Sequence, residues 1–387
     1  CCGQAIEGVR MSGRPKAVGI DIFGGGFTAG VLEYFDVVCH LEEGEIWTEQ
    51  TRANFPDLPI YVGVDKWPIA ALREQNIELV YANPPCAPFS AAGKTMIYGR
   101  DSWKTDSRVD MTRRALEAAA AINPTTIVLE SVCRAWTIGA ELYIGYAKFL
   151  RELDYTCQVH MSDAMLAGLP QRRRRFYFVA SKIDITFKLE FPETPPRPID
   201  AIGHLVDMPT VWPINPDLLA AEASHPAPGD IRRSYMEAFP ERNYGKPPFM
   251  VHRAPWFRPG GSMMSMICQL HPLRNRFYQP EETKLLCGYD PDWKLVGTLS
   301  YQQAALTQAV TPIAGKYIAK NVARSMDRGD EPLRDPKLLL YLTDHIPFAN
   351  RYYNTVYPAA APGTSMSDAD YREPKEGFGP NGKAIGK

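Results

Sequence analysis

Short apolar runs alternate with amphipathic stretches over the first half of the chain. Runs of this length are typical of buried strands, whereas apolar residues at helical spacing indicate helices. The pattern predicts strands over 17–23, 37–41, 60–64, 77–82, 126–129 and 155–160. It predicts helices over about 28–35, 46–54, 111–122 and 138–153. Strict strand–helix alternation favours an α/β fold, a doubly wound and mostly parallel sheet with helices on both faces.

The strand over 77–82 ends abruptly in Pro84 and Pro85, and Cys86 follows them directly. Proline fixes φ and cannot continue a strand ladder, so the chain must turn at this point. In open α/β sheets, ligands and chemistry collect at the carboxyl ends of strands. Cys86 is therefore a candidate nucleophile held on a rigid turn. The alternative is a small buried residue in a tight turn.

Three glycines, Gly24 to Gly26, follow the first strand. Glycines at a strand-to-helix turn let the backbone approach a ligand closely, although a plain tight turn has the same composition. Glu42 ends the second strand and is suited to accept hydrogen bonds from ribose hydroxyls. Asp65 ends the third strand, where it could meet an adenine edge or cap the next helix.

Two further features are expected near the rim of the sheet, that is, the edge formed by the carboxyl ends of the strands, where Cys86 lies. The loop over 91–108 is long and basic, since it carries Lys94, Arg100, Lys104 and Arg108, and loops of this kind are often mobile lids. Glu130 ends the strand over 126–129. It is therefore expected on the same rim as Cys86.

Four consecutive arginines, Arg172 to Arg175, run into the apolar segment 176–180. Alternate side chains of a strand face opposite ways, so Arg173 and Arg175 share one face, and Arg172 and Arg174 share the other. One pair can then point into a site while the other meets solvent or phosphate. The alternative is a solvated basic run.

Composition adds few constraints. The 387 residues are 45% hydrophobic and 22% charged, as in an ordinary soluble globular protein. A net charge of −1 gives no global sign of nucleic-acid binding, so any basic surface must be local. The eight cysteines have no CxxC spacing, which argues for reduced thiols and against a structural zinc site or any other metal. No segment is typical of a membrane span or a signal peptide.

Taken together in chain order, several of these stretches resemble the motifs of the cytosine-5 DNA methyltransferase family, in its bacterial or phage type. The matching segments are Asp21 to Phe27, Pro85-Cys86 with Phe89-Ser90, Asp106 to Arg108, Glu130 to Val132, Gln171-x-Arg173-x-Arg175, His271-Pro272 with 276–282, and Ala309 to Pro312. The match covers about 17–183 and 268–326. The resemblance implies a Rossmann-like fold that binds S-adenosylmethionine.

The resemblance also implies roles for individual residues. Cys86 would add to carbon 6 of a cytosine flipped out of duplex DNA, and carbon 5 would then take the methyl group. Glu130, with a pKa raised by burial, would hold N3 and the exocyclic amine, Arg173 would neutralise the O2 side, and Arg175 would support it. Cofactor contacts are expected from Asp21, Phe23, Gly24, Gly25, Gly26, Phe27, Glu42, Asp65, Pro85, Gln308 and Val310. DNA contacts are expected from Ser90, Lys94, Arg108, Arg232, Arg233 and Arg258.

The domain organisation follows from the same comparison. We expect a disordered leader over 1–16 with Met11 as a candidate start, and a catalytic and cofactor-binding domain over 17–183. A small irregular target-recognition domain is expected over 184–270, where Pro, Arg and aromatic residues are frequent. The chain is expected to return to the catalytic domain over 271–330. A C-terminal extension over 331–387 is expected to be disordered from about 358.

Three departures from the family pattern bear on activity. The segment Asp21 to Phe27 resembles the family's cofactor turn, but this turn is shorter than the family's Phe-x-Gly-x-Gly-Gly. Ser131 and Ala87 stand where Asn and Gln are usual. Gln308 lies in Thr-Gln-Ala-Val where the family has Gly-Asn-Ala-Val, and its longer side chain leaves less room for the cofactor.

Two alternatives stay open. An RNA cytosine-5 methyltransferase of the same fold is expected to carry a Cys-Phe-Thr tripeptide, and none occurs here. A DNA-binding relative without catalysis would need a hidden defect, because Cys86, Glu130 and Arg173 are all present. The prediction is a monomeric cytoplasmic enzyme of a bacterium or phage-infected host that acts on double-stranded DNA. Restriction-modification, phage self-protection and regulation all fit such an enzyme.

Overall fold

Strands and helices alternate along most of the chain in the computed structural model, which describes residues 13–90, 99, 101–190, 192, 198–209, 278–327, 338–349 and 351. The strands are β1 (Lys16–Ile20), β2 (Asp36–Glu42), β3 (Ile60–Val62), β4 (Ile77–Ala82), β5 (Thr126–Ser131), β6 (Thr156–Asp163), β7 (Arg174–Ser181) and β8 (Tyr341–Asp344). The helices are α1 (Gly26–Val31), α2 (Thr48–Asn54), α3 (Ile69–Arg73), α4 (Val109–Ile122), α5 (Cys133–Arg151), α6 (Pro198–Ile202), α7 (Pro280–Leu286), α8 (Leu299–Gln308) and α9 (Pro312–Asp327). Within those residues, no helix combines the length and apolar character needed to cross a membrane.

Within the described residues the strands form a single sheet in the order β3-β2-β1-β4-β5-β7-β6-β8. All pairings are parallel except those of β7, which runs antiparallel to both β5 and β6. The strand order reverses at β1, because β2 lies on one side of it and β4 on the other. The carboxyl ends of β1 and β4 therefore flank the crevice where such sheets bind ligands. The doubly wound, mostly parallel sheet predicted from the sequence is confirmed.

The core forms two layers, one on each face of the sheet. Strand β4 shows the division, since Val80 and Ala82 pack on one face and Leu79 and Tyr81 on the other. The first face is covered by α4 and α5, and the second by α1 and α9. The central strands are thus buried on both faces, which explains why their sequences are nearly uniformly apolar.

Helices α1 and α9 approach each other so closely that their backbones touch. A β-carbon placed on Gly30 would overlap Pro312 O and Lys316 N, and one on Gly315 would lie 2.7 Å from Phe27 O. Only glycine permits this spacing. The contact thus joins α1 to α9, which are far apart in the sequence.

Element boundaries differ from the prediction at several places. Helix α1 begins at Gly26 and ends at Val31, because the chain enters a turn before Phe35. Helix α5 begins at Cys133, so only the extended Val132 separates it from β5. Strand β8 lies inside the predicted C-terminal extension and pairs with β6. The proposed target-recognition segment falls largely on 210–277, which lies outside the described residues.

Replacing Gly30 by Ala is expected to lower the free energy of unfolding by about 1–3 kcal/mol, because the new methyl group has no room between α1 and α9. Gly145→Ala is the matched control. Gly145 is an exposed residue of α5 with nothing within 4 Å of its β-carbon position, so this change should add about 0.5–1 kcal/mol. Urea unfolding of both variants measures the difference. Equal stability of the two would refute the close contact.

Candidate active site

Cys86 lies in a tight turn directly after β4. The backbone N–H groups of Phe89 and Ser90 donate to Cys86 O at 3.0 and 3.1 Å, which closes the turn. The Cys86 side chain is half-buried, and every other cysteine among the described residues is buried. Cys86 is thus the described thiol that a substrate can reach.

Phe89 anchors this turn to the core. Its ring lies against Gly139 in α5, where a β-carbon would come within 2.7 Å of Phe89 Cε1. Gly139 departs from helical geometry at this point, with φ −115° and ψ 19°. Arg134 Nε donates to Phe89 O at 3.1 Å, and Trp103 packs on the ring with centroids 5.5 Å apart. These contacts with α5 therefore fix the position of the turn that carries Cys86.

Glu130 lies near the carboxyl end of β5, beside this turn, and is held by two donors. Its side chain is buried, with 3% of the residue exposed. Asn83 Nδ2 donates to Glu130 Oε2 at 2.6 Å, and Arg175 Nε lies 2.8 Å from Oε1. The carboxyl group thus has one fixed donor from β4's end and a cation from β7.

Burial and charge act together on these groups. Burial raises the pKa of Glu130, while Arg175 and Arg173 oppose the rise. Burial also raises the pKa of Cys86, the charge of Glu130 adds to this, and the same two arginines oppose it. A negative charge on either group therefore disfavours ionisation of the other. A thiolate on Cys86 is most stable when Glu130 carries a proton.

Arg173 occupies a different place from the one expected. Its side chain is almost fully buried, at 1% exposure, and donates to Thr307 O at 2.9 Å and Ala309 O at 2.5 Å. Burial lowers the pKa of Arg173 to about 10, and Arg175 contributes to this. Arg173 thus fastens the turn between α8 and α9, whereas Arg175 contacts Glu130.

The other two arginines are not exposed to solvent or phosphate, so that part of the prediction is wrong. Arg172 and Arg174 are buried, and the Nε of each lies 3.8 Å from Asp163 Oδ2. Asp163 Oδ1 also accepts from the backbone N–H of Arg173 at 2.7 Å. This carboxylate at the end of β6 draws both side chains inward, and the predicted alternation of faces is confirmed.

The cofactor turn places two carboxyl groups side by side. Asp21 has φ +51° and accepts from Glu43 N at 3.0 Å, while Glu42 Oε1 accepts from Ile22 N at 2.9 Å. Burial raises the pKa of Asp21 to about 7. Burial and the neighbouring Asp21 raise the pKa of Glu42 well above its ordinary value. Ionisation of either carboxyl therefore disfavours that of the other.

The glycines of the turn serve packing as well as conformation. Gly24 and Gly25 have φ of +66° and +82°, where residues with a β-carbon are strained. A β-carbon on Gly26 would overlap Val310 O and Tyr289 Oη. The Phe27 and Val310 side chains lie in the core, so we assign packing to them rather than a side-chain contact with the cofactor.

Aromatic side chains line the same rim. The half-buried ring of Phe23 contacts Trp47, with centroids 4.2 Å apart, and Trp47 contacts Tyr301 at 4.5 Å. Of these three, the sequence analysis identified only Phe23. Trp47 and Tyr301 are brought to the turn by α2 and α8, and no local motif marks them.

The groups at the carboxyl ends of β1 and β2 fit S-adenosylmethionine. Asp21 Oδ2 is buried and has no hydrogen-bond partner among the described residues, which suits a donor from a ligand. Glu42 offers carboxylate oxygens, and the half-exposed aromatic rings offer an apolar surface. Asp65 and Gln308 are exposed at their positions, and Pro85 is half-buried beside Cys86. The described chain holds no cluster of three His, Cys, Asp or Glu suited to a metal ion.

The predicted DNA contacts are only partly within the described residues. Ser90 is half-buried next to the Cys86 turn, and Arg108 forms a bidentate pair with Asp106 at 2.8 and 2.5 Å. This pairing uses part of the Arg108 donor capacity. Lys94, Arg232, Arg233 and Arg258 lie outside the described residues.

Asn83 is the main site residue that the sequence analysis missed. It stands directly before the Pro-Pro turn, and the sequence analysis assigns it no role. Its partner Glu130 comes from a different strand, so nothing in the local sequence indicates the contact. The usual Asn after that glutamate is Ser131 here, and the Ser131 side chain hydrogen-bonds to Tyr143.

Three curated bacterial proteins are similar to part of this chain. Type II methyltransferase M.AquIA of Picosynechococcus is 30% identical over 192 residues, which cover 44% of this chain and 74% of that protein. M.XorII of Xanthomonas oryzae is 25% identical over 51% of this chain and 49% of its own length. M1.HphI of Haemophilus parahaemolyticus is 28% identical over 48% and 52%. The chain thus spans about three quarters of the first relative and about half of the other two.

Solved structures share the fold. The Entamoeba histolytica methyltransferase EhMeth has a TM-score of 0.57 at 15% identity. The superposition covers 82% of this chain and 99% of EhMeth. Schizosaccharomyces pombe Dnmt2 has a TM-score of 0.53 at 14% identity, with 81% of this chain and 100% of its own covered. A model of the C-5 cytosine-specific DNA methylases matches residues 19–324. The resemblance found in the sequence is confirmed, and the chain belongs to the C-5 cytosine-specific DNA methylase family.

Proposed function

We propose that the chain is a DNA (cytosine-5)-methyltransferase that uses S-adenosylmethionine and acts on double-stranded DNA in a short sequence context. One observation carries the proposal: a reachable thiol, Cys86, shares a rim with the buried Glu130 carboxyl and the Arg175 guanidinium. Family membership supplies the reaction class. The names of the relatives support a modification enzyme of a restriction-modification system.

The reaction begins when the Cys86 thiolate forms a bond to carbon 6 of a cytosine taken out of the base stack. Glu130 gives its proton to N3, so the electrons of the ring double bond become available at carbon 5. Carbon 5 then takes a methyl group and loses its proton to a base. The carbon 6–sulfur bond breaks as the carbon 5–carbon 6 double bond forms again, and N3 returns its proton to Glu130, which restores the neutral ring and frees Cys86 as a thiolate.

The coupling between Cys86 and Glu130 supports this order of events. A proton on Glu130 removes the charge that disfavours the thiolate, while Arg175 and Arg173 continue to stabilise it. Negative charge that develops on the base is stabilised by the same two cations, Arg175 and Arg173. Because Arg175 contacts Glu130 and Arg173 is fastened to Thr307 and Ala309, we assign the neutralising role on the base to Arg175.

S-adenosylmethionine supplies an electrophilic methyl group when it is bound. Glu42 is assigned the ribose hydroxyls, Asp21 a donor of the ligand, and Phe23 an apolar face of it. Gly24, Gly25, Asp65, Pro85 and Gln308 complete the proposed surface. On the DNA side, Ser90 and Arg108 are proposed contacts near the nucleophile, with Lys94, Arg232, Arg233 and Arg258 as further ones.

The first test is methylation of unmethylated mixed-sequence DNA with S-adenosylmethionine, read at every cytosine by bisulfite sequencing. The native chain should methylate one short context, and Cys86→Ala should lose more than about a thousandfold in rate, because the covalent step is removed. Cys157→Ala is the control, since burial raises the pKa of Cys157 to about 12 and makes this thiol unreactive. Methylation by the Cys86 variant would refute the mechanism. RNA of the same sequence should not be a substrate.

The two arginines should respond differently to replacement by Lys. Arg175→Lys should lower kcat by about a hundredfold with little change in melting temperature, because the planar contact with Glu130 is lost. Arg173→Lys should mainly destabilise the fold, by about 2 kcal/mol or more, since two buried carbonyl groups lose their donor. Rate assays and thermal unfolding of both variants decide the assignment. The reverse outcome would return the catalytic role to Arg173.

Cofactor affinity should depend on pH through Glu42. An ionised Glu42 accepts two ribose hydroxyls, so affinity for S-adenosylhomocysteine should rise as pH increases through its raised pKa. Asp21→Asn removes a neighbouring negative charge, which lowers the pKa of Glu42 and moves this midpoint to lower pH. Calorimetric titrations at several pH values measure the midpoint. Asp65→Asn, at an exposed position, should leave it in place, and an unmoved midpoint in the Asp21 variant would refute the coupling.

A further inference from the structure

We propose that Asn83 is a positioning residue for Glu130, whose amide fixes one carboxyl oxygen so that the other, beside Arg175, is presented to the reacting base. The inference rests on the function proposed above. It assigns a role to a side chain that lies three residues before the nucleophile, directly after β4, whereas Glu130 is on β5.

Asn83 is itself rigidly held. Its backbone N–H donates to Ile20 O at 3.2 Å, and Pro84 restricts the backbone on its other side. Only 8% of Asn83 is exposed, so its amide does not exchange freely with water. The hydrogen bond from Nδ2 to Glu130 Oε2, at 2.6 Å, is therefore made between two fixed groups.

The bond distinguishes the two oxygens of Glu130. Oε2 accepts from the neutral amide of Asn83, whereas Oε1 lies 2.8 Å from the cationic Arg175 Nε. The Asn83 contact at Oε2 and the Arg175 contact at Oε1 thus hold the carboxyl group in one orientation, with Oε1 kept beside Arg175.

The side chain of Asn83 is neutral, which suits a position surrounded by titratable groups. The titratable groups facing Glu130 are Cys86 on the turn after β4, Arg173 directly before β7, Arg175 and Tyr177 on β7, and Tyr143 on α5. A neutral amide adds no charge to this set. It stabilises the carboxylate by donation and so lowers its proton affinity, against the effect of burial. Asn83 thereby moderates how tightly Glu130 holds the proton that it must give to the base.

The test is an infrared titration of the Glu130 carboxyl, identified as the band that Glu130→Gln removes. In Asn83→Ala the protonation midpoint should rise by about one pH unit, because a donor to the charged form is lost. Asn83→Asp should raise it further, since two adjacent carboxyls share a proton. Asn321→Ala, which removes another buried amide far from the site, should leave the midpoint unchanged.

Methylation rates complete the test. In Asn83→Ala, kcat should fall about tenfold and its alkaline limb should move to higher pH with the infrared midpoint. A lower kcat with an unmoved midpoint in both Asn83 variants would overturn the proposal, because a packing role predicts that result. The infrared titration needs no methyl transfer. A shifted midpoint in a chain that does not methylate DNA would therefore support the role of Asn83 and refute the proposed function.

Discussion

A buried carboxyl group between an amide and a guanidinium is the interaction on which the candidate site depends. Removing Glu130 from water is unfavourable unless its charge is paired and its oxygens are hydrogen-bonded, and here Arg175 supplies the opposite charge while Asn83 donates a hydrogen bond. The same cations act on the Cys86 thiol. Cys86, Glu130 and Arg175 are therefore coupled electrostatically, so that a proton on Glu130 changes the reactivity of Cys86.

The sheet topology makes this coupling possible. Parallel strands β4 and β5 bring Cys86 and Glu130 to one edge because both strands end there. Strand β7 runs the other way, so its first residues, Arg174 and Arg175, begin at the edge where β5 ends. A parallel β7 would have delivered apolar residues to the site. The single reversed strand is thus what supplies the cations.

The sequence predicts the features that depend on local pattern. Apolar runs located the strands, the Pro-Pro break located Cys86, and alternation separated Arg173 and Arg175 from their neighbours. It failed where a side chain meets a partner distant in the chain: Asn83 with Glu130, Arg173 with Thr307, and Arg172 with Asp163. Those contacts arise from the order of strands in the sheet, which no local pattern specifies. Strand β8 was missed because four residues at a sheet edge carry too weak a pattern.

The close contact between Gly30 and α9 has a consequence for how the protein is made. Helix α1 is synthesised well before the surface that it packs against, which is Pro312 to Lys316 in α9. Until that segment is synthesised, the apolar face formed by Phe27 and Val31 has no cover. Arg173 likewise waits for Thr307 and Ala309. The nascent chain must therefore keep an unfinished sheet soluble until α9 has been synthesised, so its yield should depend on chaperones more than its final stability does.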